Sequence, residues 1–466
     1  MSDDLAYMPA TELVDAYRTG RVSPVEATRA ALDRIAAHDG RVNAYCLVDE
    51  DGALAAARGS EARWAKGEPL GPVDGVPTSI KDVLLSRGWP TLRGSKTIDT
   101  DQPWDDDAPS VARMRAHGAV FLGKTTTPEF GWKGVTDSPL SGITRNPWNL
   151  ERTPGGSSGG ASAALAAGMG PLAFGTDAGG SIRIPSSFAG VFGLKPSYGR
   201  VPAYPASPFG TLAHVGPMAR SVADAALMLT VITEPDTRDW LALPYDERDY
   251  RDGLGDGVEG LRIAFSPSLG YVRVDPEVAE TAAAAARVFA DLGAHVDEVD
   301  PGFADPATHF HALAWAGMAR ALGGLAPGKL ALVDSGLAQL IEAGRTVTLD
   351  DYMAALEARA ALGAHMRAFH ERHDLLLTPT LPIAAFQVGR FMPEGDDARR
   401  WIDWLRFTFP FNMTQQPAAS IPCGFTKDGL PVGLQIVGPM YDDALVLRAA
   451  RAYETARPFA DRRPAL

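Results

Sequence analysis

LRIAFS (261–266), DPEVAETAAAAARVFADLG (275–293) and AHVDEV (294–299) lie in one stretch of chain: a short apolar run, a long alanine-rich segment and a second short run. Those lengths in that order read as a strand–helix–strand unit. Downstream, Leu375–Thr378, Ala418–Pro422 and Gly433–Val437 read as further strands, and 305–372 as mostly helical. Upstream, Val76–Ile80 and Ala119–Leu122 read as strands with a helix at Pro109–Ala116 between them. The alternation predicts an α/β fold, a mixed β-sheet core covered by helices on both faces. Residues 9–38 read as two short helices, with Ser23-Pro24 and Glu26 as a helix-start signal, and 41–66 as a further alanine-rich helix. The expected organisation is a helical N-terminal lobe over 1–70 and an α/β domain over 71–466, in which 300–372 is a helical region facing the substrate. A chain of 466 residues is long enough for a large domain with an appended lobe.

Hydrophobic residues make up 45% and charged residues 22%, an ordinary balance for a globular protein. The formal net charge of −13 argues against a nucleic-acid partner, because such a surface repels phosphate backbones. Cys46 and Cys423 are the only cysteines. That number makes no disulfide framework and fits a reducing compartment. The segment MSDDLAYMPATELVDAYRTG is acidic and lacks an apolar core, so it does not read as a secretory signal. The small-residue run from Ala161 to Phe174 is broken by glycines and Pro171 and is too short to span a bilayer. The expectation is a cytoplasmic protein with no membrane partner.

Two motif matches fail on context. GAVFLGKT, Gly118–Thr125, satisfies the phosphate-loop pattern letter for letter. Its four middle positions are Ala, Val, Phe and Leu, which suit a buried strand, a helix precedes it, and Pro128 interrupts any helix after it. It therefore reads as a helix-to-strand corner. GGSSG, Gly155–Gly159, fits the nucleophile-elbow pattern; the residues before it carry Pro147 and Pro154, which argue against a central strand and leave the elbow as the runner-up reading. His214, His309, His311 and His373 lie downstream in no motif-like setting. The run Asp105, Asp106, Asp107 reads as a solvated loop, and His309 and His311 fall on different helix faces. No metal is assigned.

The stronger signal is in the centre, where glycine, serine and proline alternate with apolar pieces over roughly 150–220, reading as a packed, loop-rich region. TPGGSSGGASAALAAG (153–168) and FGTDAGGSIRIPSSFAGVFGLKP (174–196) each place a glycine cluster and a serine beside an apolar segment. Ser157 and Ser158 would open the alanine-rich helix 159–167, where free N–H groups favour developing negative charge. The run Asp177-Ala178-Gly179-Gly180-Ser181 would present successive N–H groups as an oxyanion cradle. Lys81 closes GVPTSIKDV at the end of an apolar strand, where functional residues gather.

These stretches, with GPVDGVPTSIKDV (71–83), DAPSVARMRAHGAVFLGKT (107–125), GTDAGGSIRIPSSFAGVFGLKPSYGRVP (175–202) and FNMTQQPAASIPCGFTKDGLPVGLQIVG (411–438), resemble the amidase-signature hydrolases over nearly the whole chain. The resemblance implies Ser181 as nucleophile, Lys81 as base, and Ser157, reached through a cis peptide, as the bridge between them. It implies oxyanion N–H groups at Ala178, Gly179, Gly180 and Ser181, a pocket lined by Gly131 and Thr176, and Ser158, Asp177 and Arg183 as supports holding the two loops together. It implies no cofactor.

The chemistry is consistent with that assignment. A serine hydroxyl needs a base within hydrogen-bond reach, and a lysine serves only when burial keeps it neutral. A hydroxyl can relay the proton because it donates and accepts together. The expected reaction is hydrolysis of a small or aryl carboxamide through an acyl-enzyme, with esters and carbamates as further substrates. The rivals are the amidotransferase component that forms glutaminyl-tRNA and a non-catalytic receptor. The segment PEFGWKGVTDSPLSGITRNPWN (128–149), with Trp132, favours a stand-alone enzyme, and a homodimer stays open. Specificity is expected from 131–145, 203–214, 305–372 and 401–416, where Trp401, Trp404 and Phe409 are equally readable as pocket walls or as core or dimer-contact aromatics.

Overall fold

A computed structural model describes residues 2–393, 400–459 and 462–466. Its strands are β1 (Tyr45–Val48), β2 (Pro77–Lys81), β3 (Val120–Thr125), β4 (Asp137–Ser138), β5 (Gly142–Ile143), β6 (Leu172–Asp177), β7 (Phe192–Lys195), β8 (His214–Ala219), β9 (Arg262–Phe265), β10 (His295–Glu298), β11 (Leu375–Pro379), β12 (Ala418–Phe425) and β13 (Pro431–Val437). Eleven of them form one sheet in the order β1-β3-β2-β6-β8-β7-β12-β13-β11-β9-β10, and β4 and β5 make a separate short hairpin. The sheet is mixed. β3, β2 and β6 run parallel, as do β11, β9 and β10, and the strands between them pair antiparallel.

Strand side chains alternate between faces, and both faces are buried. Ile263, Phe265, Leu375, Leu377, Leu172 and Phe174 join one apolar cluster with the helices Val222–Ile232, Pro276–Asp291 and Asp443–Ala456. The residues between them face the other way: Ala264 and Leu376 pack with the helices Ala307–Leu322, Ser335–Arg345 and Leu349–His370, and Ala173 with the helix Gly159–Ala166. The unit read from 261–299 is present, with β9 and β10 parallel and the helix Pro276–Asp291 joining them. Among the described residues no helix is long and apolar enough to cross a membrane.

The chain departs from expectation at 41–66. The helix from Pro24 runs to Val42 and stops at Asn43, which takes a left-handed backbone at φ 55°. β1 follows, pairing antiparallel with β3, and Asp49 caps a new helix from Glu50 to Lys66. The central region also holds more regular structure than its glycine content suggests, with β6, β7 and β8 side by side in the sheet. GAVFLGKT is the expected corner: the helix Pro109–Ala116 ends and β3 begins at Val120. Gly123 has no room for a side chain, because a Cβ there would overlap the Leu47 carbonyl oxygen of β1.

Candidate active site

β2 and β6 are adjacent and parallel, so their carboxyl ends open on the same edge. Ile80 belongs to the apolar cluster of one face, and Lys81, next along the strand, turns to the other. There it is fully buried. Its Nζ lies 2.7 Å from Ser157 Oγ, 2.8 Å from Ser158 Oγ and 2.8 Å from Thr176 Oγ1. Burial pushes the amine far below the ordinary lysine range, and the field of Asp177 opposes that only in part.

The two serines precede the buried helix Gly159–Ala166, whose residues are nearly all small. The Gly156–Ser157 peptide is cis. Gly131 sits against Ser157, with a left-handed φ of 70°, and a Cβ there would come 3.2 Å from Ser157 Oγ. The Ser158 hydroxyl donates to the Thr176 carbonyl at 3.3 Å and accepts from the Thr176 N–H at 3.3 Å. With its hydrogen so committed, Ser158 can only accept from Lys81. A neutral amine has two hydrogens and one lone pair, so the lone pair is left for Ser157 or Thr176.

The second loop, 177–182, is folded around Asp177. Its carboxylate accepts from the Gly180 N–H at 2.7 Å, from the Ile182 N–H at 3.2 Å and from both Nε and a terminal nitrogen of Arg183. Both partners of this ion pair are fully buried. Burial alone would raise the Asp177 carboxyl, but Arg183 outweighs it and holds it well below the usual carboxylate range. The Ser158 N–H donates to the Ser181 carbonyl at 3.1 Å, joining the two glycine–serine loops.

Two expectations need correction. Gly180 is not a free oxyanion donor, since its N–H is taken by Asp177 Oδ1. The N–H groups of Ala178, Gly179 and Ser181 have no such acceptor among the described residues. Asp177 and Arg183 do not hold the two loops to each other. Arg183 donates to the Thr408 carbonyl, Gln435 Oε1 and Asn412 Oδ1, anchoring the second loop to the 408–412 turn and to β13. The Thr408 hydroxyl donates to the Gly179 carbonyl at 2.6 Å. Thr408, Asn412 and Gln435 are thus site residues that the sequence reading did not single out. Asn412 and Gln435 lie within the 411–438 stretch that carries the resemblance, but nothing in sequence marks their long-range partner.

Ser157, Thr176, Ala178, Ser181 and Gly131 line one cavity of about 240 Å³. Tyr198, 202–211, Trp240 and Leu241 also line it. Ser181 also lines a narrow apolar recess walled by Trp132, Phe310, Met318, Leu340 and Trp401. Trp404 and Phe409 are core instead: Trp404 stacks on Phe188 at 5.7 Å, and Phe409 packs on Phe310 at 4.9 Å. His214 reaches the large cavity, but its Nδ1 faces the Leu212 carbonyl at 2.8 Å and its Nε2 lies 3.4 Å from Lys195 Nζ. Burial, then the charge of Lys195, hold it well below the usual histidine range. His309 and His311 line a separate groove. Among the described residues no three His, Cys, Asp or Glu side chains converge as metal ligands.

The family model described as Amidase matches residues 26–447. An acylamidase of Rhodococcus erythropolis is 40% identical, with 99% of this chain and 98% of that protein aligned. A glutamyl-tRNA(Gln) amidotransferase subunit of Moorella thermoacetica is 39% identical, with 99% of each aligned. Among solved structures, a bacterial aryl acylamidase of the amidase-signature enzymes superposes with a TM-score of 0.91 at 32% identity, over 97% of both chains. Motifs, fold and full-length similarity agree: the chain belongs to the amidase-signature family of amide-hydrolysing enzymes.

Proposed function

We propose that this enzyme cleaves carboxamides through an acyl-enzyme on Ser181, with Lys81 as the base and Ser157 as the proton relay. The observation that carries the reading is a lysine amine buried among three hydroxyls with no carboxylate in contact among the described residues. In such surroundings the amine is neutral, and its lone pair can take a proton. Ser181 Oγ attacks the carbonyl carbon, its proton passes to Ser157 Oγ, and the Ser157 proton passes to Lys81 Nζ. The N–H groups of Ala178, Gly179 and Ser181 receive the oxyanion. The same route in reverse delivers the proton to the leaving nitrogen, the C–N bond breaks, and water then attacks the acyl ester to release the carboxylate. The apolar recess beside Ser181 suits an aryl or alkyl group. Esters and carbamates with a good leaving group fit the same chemistry.

The test is direct. Ser181→Ala folds and loses nearly all amide turnover, and a fluorophosphonate labels the peptide containing GGSIR. Retained activity in Ser181→Ala beside a dead Ser158→Ala would assign the nucleophile elsewhere. A second reading rests on the 39% identity to the amidotransferase component: release of ammonia from glutamine within a larger complex. Glutaminase activity that appears only with co-purifying partners would favour it over simple amide hydrolysis.

A further inference from the structure

The lysine of the GAVFLGKT corner has a use unrelated to phosphate. Lys124 is fully buried and pairs with Asp82 at 3.1 Å, while also donating to the carbonyls of Leu84 and Pro90. Asp82 is the residue after Lys81, and its two carboxylate oxygens accept the N–H groups of Leu92 and Gly94 at 3.2 and 3.3 Å. The backbone on both sides of Arg93 is therefore fixed to the end of β2. Arg93 itself takes a left-handed backbone at φ 54°, and its carbonyl accepts from the N–H of Phe130, another non-glycine residue with positive φ. Such conformations persist only where the surroundings over-determine them, and they gather at ligand sites.

Arg93 lines the same cavity as Ser157 and Ser181. Its carbonyl is taken by the Phe130 N–H, and the N–H groups of its two neighbours are taken by Asp82. The guanidinium makes no ion pair or hydrogen bond with any described residue. Asp82, the nearby carboxylate, is already occupied by Lys124 and two backbone donors. Burial lowers the Arg93 pKa, and the field of Asp82 opposes it. A partly buried guanidinium with no direct ion-pair partner among the described residues is costly unless a ligand supplies one, and its planar fork matches a carboxylate in bidentate fashion.

We infer that Arg93 is a specificity-determining residue that binds a carboxylate on the substrate, so that the preferred substrates are amides bearing an acidic group on the portion seated in the larger cavity. The inference rests on the hydrolase reading above and names its substrate class.

The test compares matched pairs of amides differing only in a carboxylate against its methyl ester or primary carboxamide. The readout is the ratio of kcat/KM for the acidic to the neutral member. Arg93→Met lowers that ratio by about tenfold or more, mainly through KM, as expected for loss of a charge-assisted bidentate contact. Arg93→Lys, which keeps the charge but not the fork, falls between. An unchanged ratio, or an equal loss for both members, would overturn the inference and leave Arg93 a stacking or structural residue. A binding measurement separates this from the mechanism. Ser181→Ala, which needs no turnover, binds the acidic amide more tightly than its neutral partner by calorimetry, and the double variant with Arg93→Met loses that difference. Should Arg93→Met fail to fold, the Arg93→Lys ratio and the calorimetric preference of Ser181→Ala still decide. If Ser181→Ala kept its activity while the Arg93 ratio fell, the nucleophile assignment would fail and the carboxylate site would stand.

Discussion

Burial holds the Lys81 amine well below the ordinary lysine range, because removing water penalises the ammonium more than the neutral form, and the field of Asp177 offsets this only in part. A folded-state pKa lowered in this way ties stability to pH. Between its lowered folded pKa and the ordinary lysine value of 10.5, the unfolded chain binds the extra proton, so rising pH favours the folded state. Wild type should gain stability relative to Lys81→Met as pH rises through that window, by at most about 1.4 kcal/mol per pH unit, and the gain should level off above 10.5. Paired denaturant titrations at several pH values measure it. A constant difference would mean that the amine is charged in the folded enzyme. Activity follows the same group: amide turnover rises with pH as Lys81 deprotonates, and Lys81→Ala removes about 10²–10⁴-fold. Replacing His214 should cost much less, since both its ring nitrogens face groups other than the reacting serines.

At the scale of elements, β1 and the three central strands were not legible from periodicity, for separate reasons. β1 is four residues long and lies between alanine-rich segments that resemble one continuous helix. Its only sequence signals are Asn43 as a left-handed stop and Asp49 as a new cap. The central strands carry Gly175, Gly193 and Gly216 where an apolar side chain would announce a strand. At these positions a Cβ would press on Ile182, on Ser186 and on the backbone of Leu194 respectively. Close packing around the start of the helix Arg183–Ala189 and between neighbouring strands thus erased the strand signal that propensity reads. The residues proposed for the chemistry, by contrast, could be picked out in sequence, because Lys81, Ser157 and Ser181 sit in long motifs, and the structure brings Lys81 onto Ser157; Thr408, Asn412 and Gln435 could not, because their partner Arg183 is more than two hundred residues away. The β1–β3 contact gives a test at this scale. Gly123→Ala should destabilise the fold by about 1–3 kcal/mol as the methyl forces Leu47 away. Chemical denaturation checks it, and a neutral result would mean that the edge strand shifts freely.

At the scale of the molecule, the cavity and recess are assembled from segments far apart in the chain: 131–132, 198–213, the helix Ala307–Leu322, Leu340 and Trp401. Each of the four regions expected to set specificity contributes to these walls, though within 401–416 Trp401 does so while Trp404 and Phe409 pack inward. Trp401→Ala should open the recess and move the preference toward amides with bulkier apolar groups. A chain-length series of amides measures the shift in kcat/KM. If the optimum stays where it was, Trp401 is not a wall of the working site.

The relay proposed from Lys81 through Ser157 hangs on two adjacent parallel strands, β2 and β6, and on the loops at their carboxyl ends. The walls that meet a substrate come largely from other parts of the chain. Much of the wall can therefore change without touching the strands that carry Lys81 and Thr176, although Arg93 stays tied to the end of β2. A lineage can redraw 198–213 or the helices after residue 300 by insertion or drift while the proton route stays fixed. An engineer can likewise transplant those walls between members of the family without rebuilding the machinery that breaks the bond.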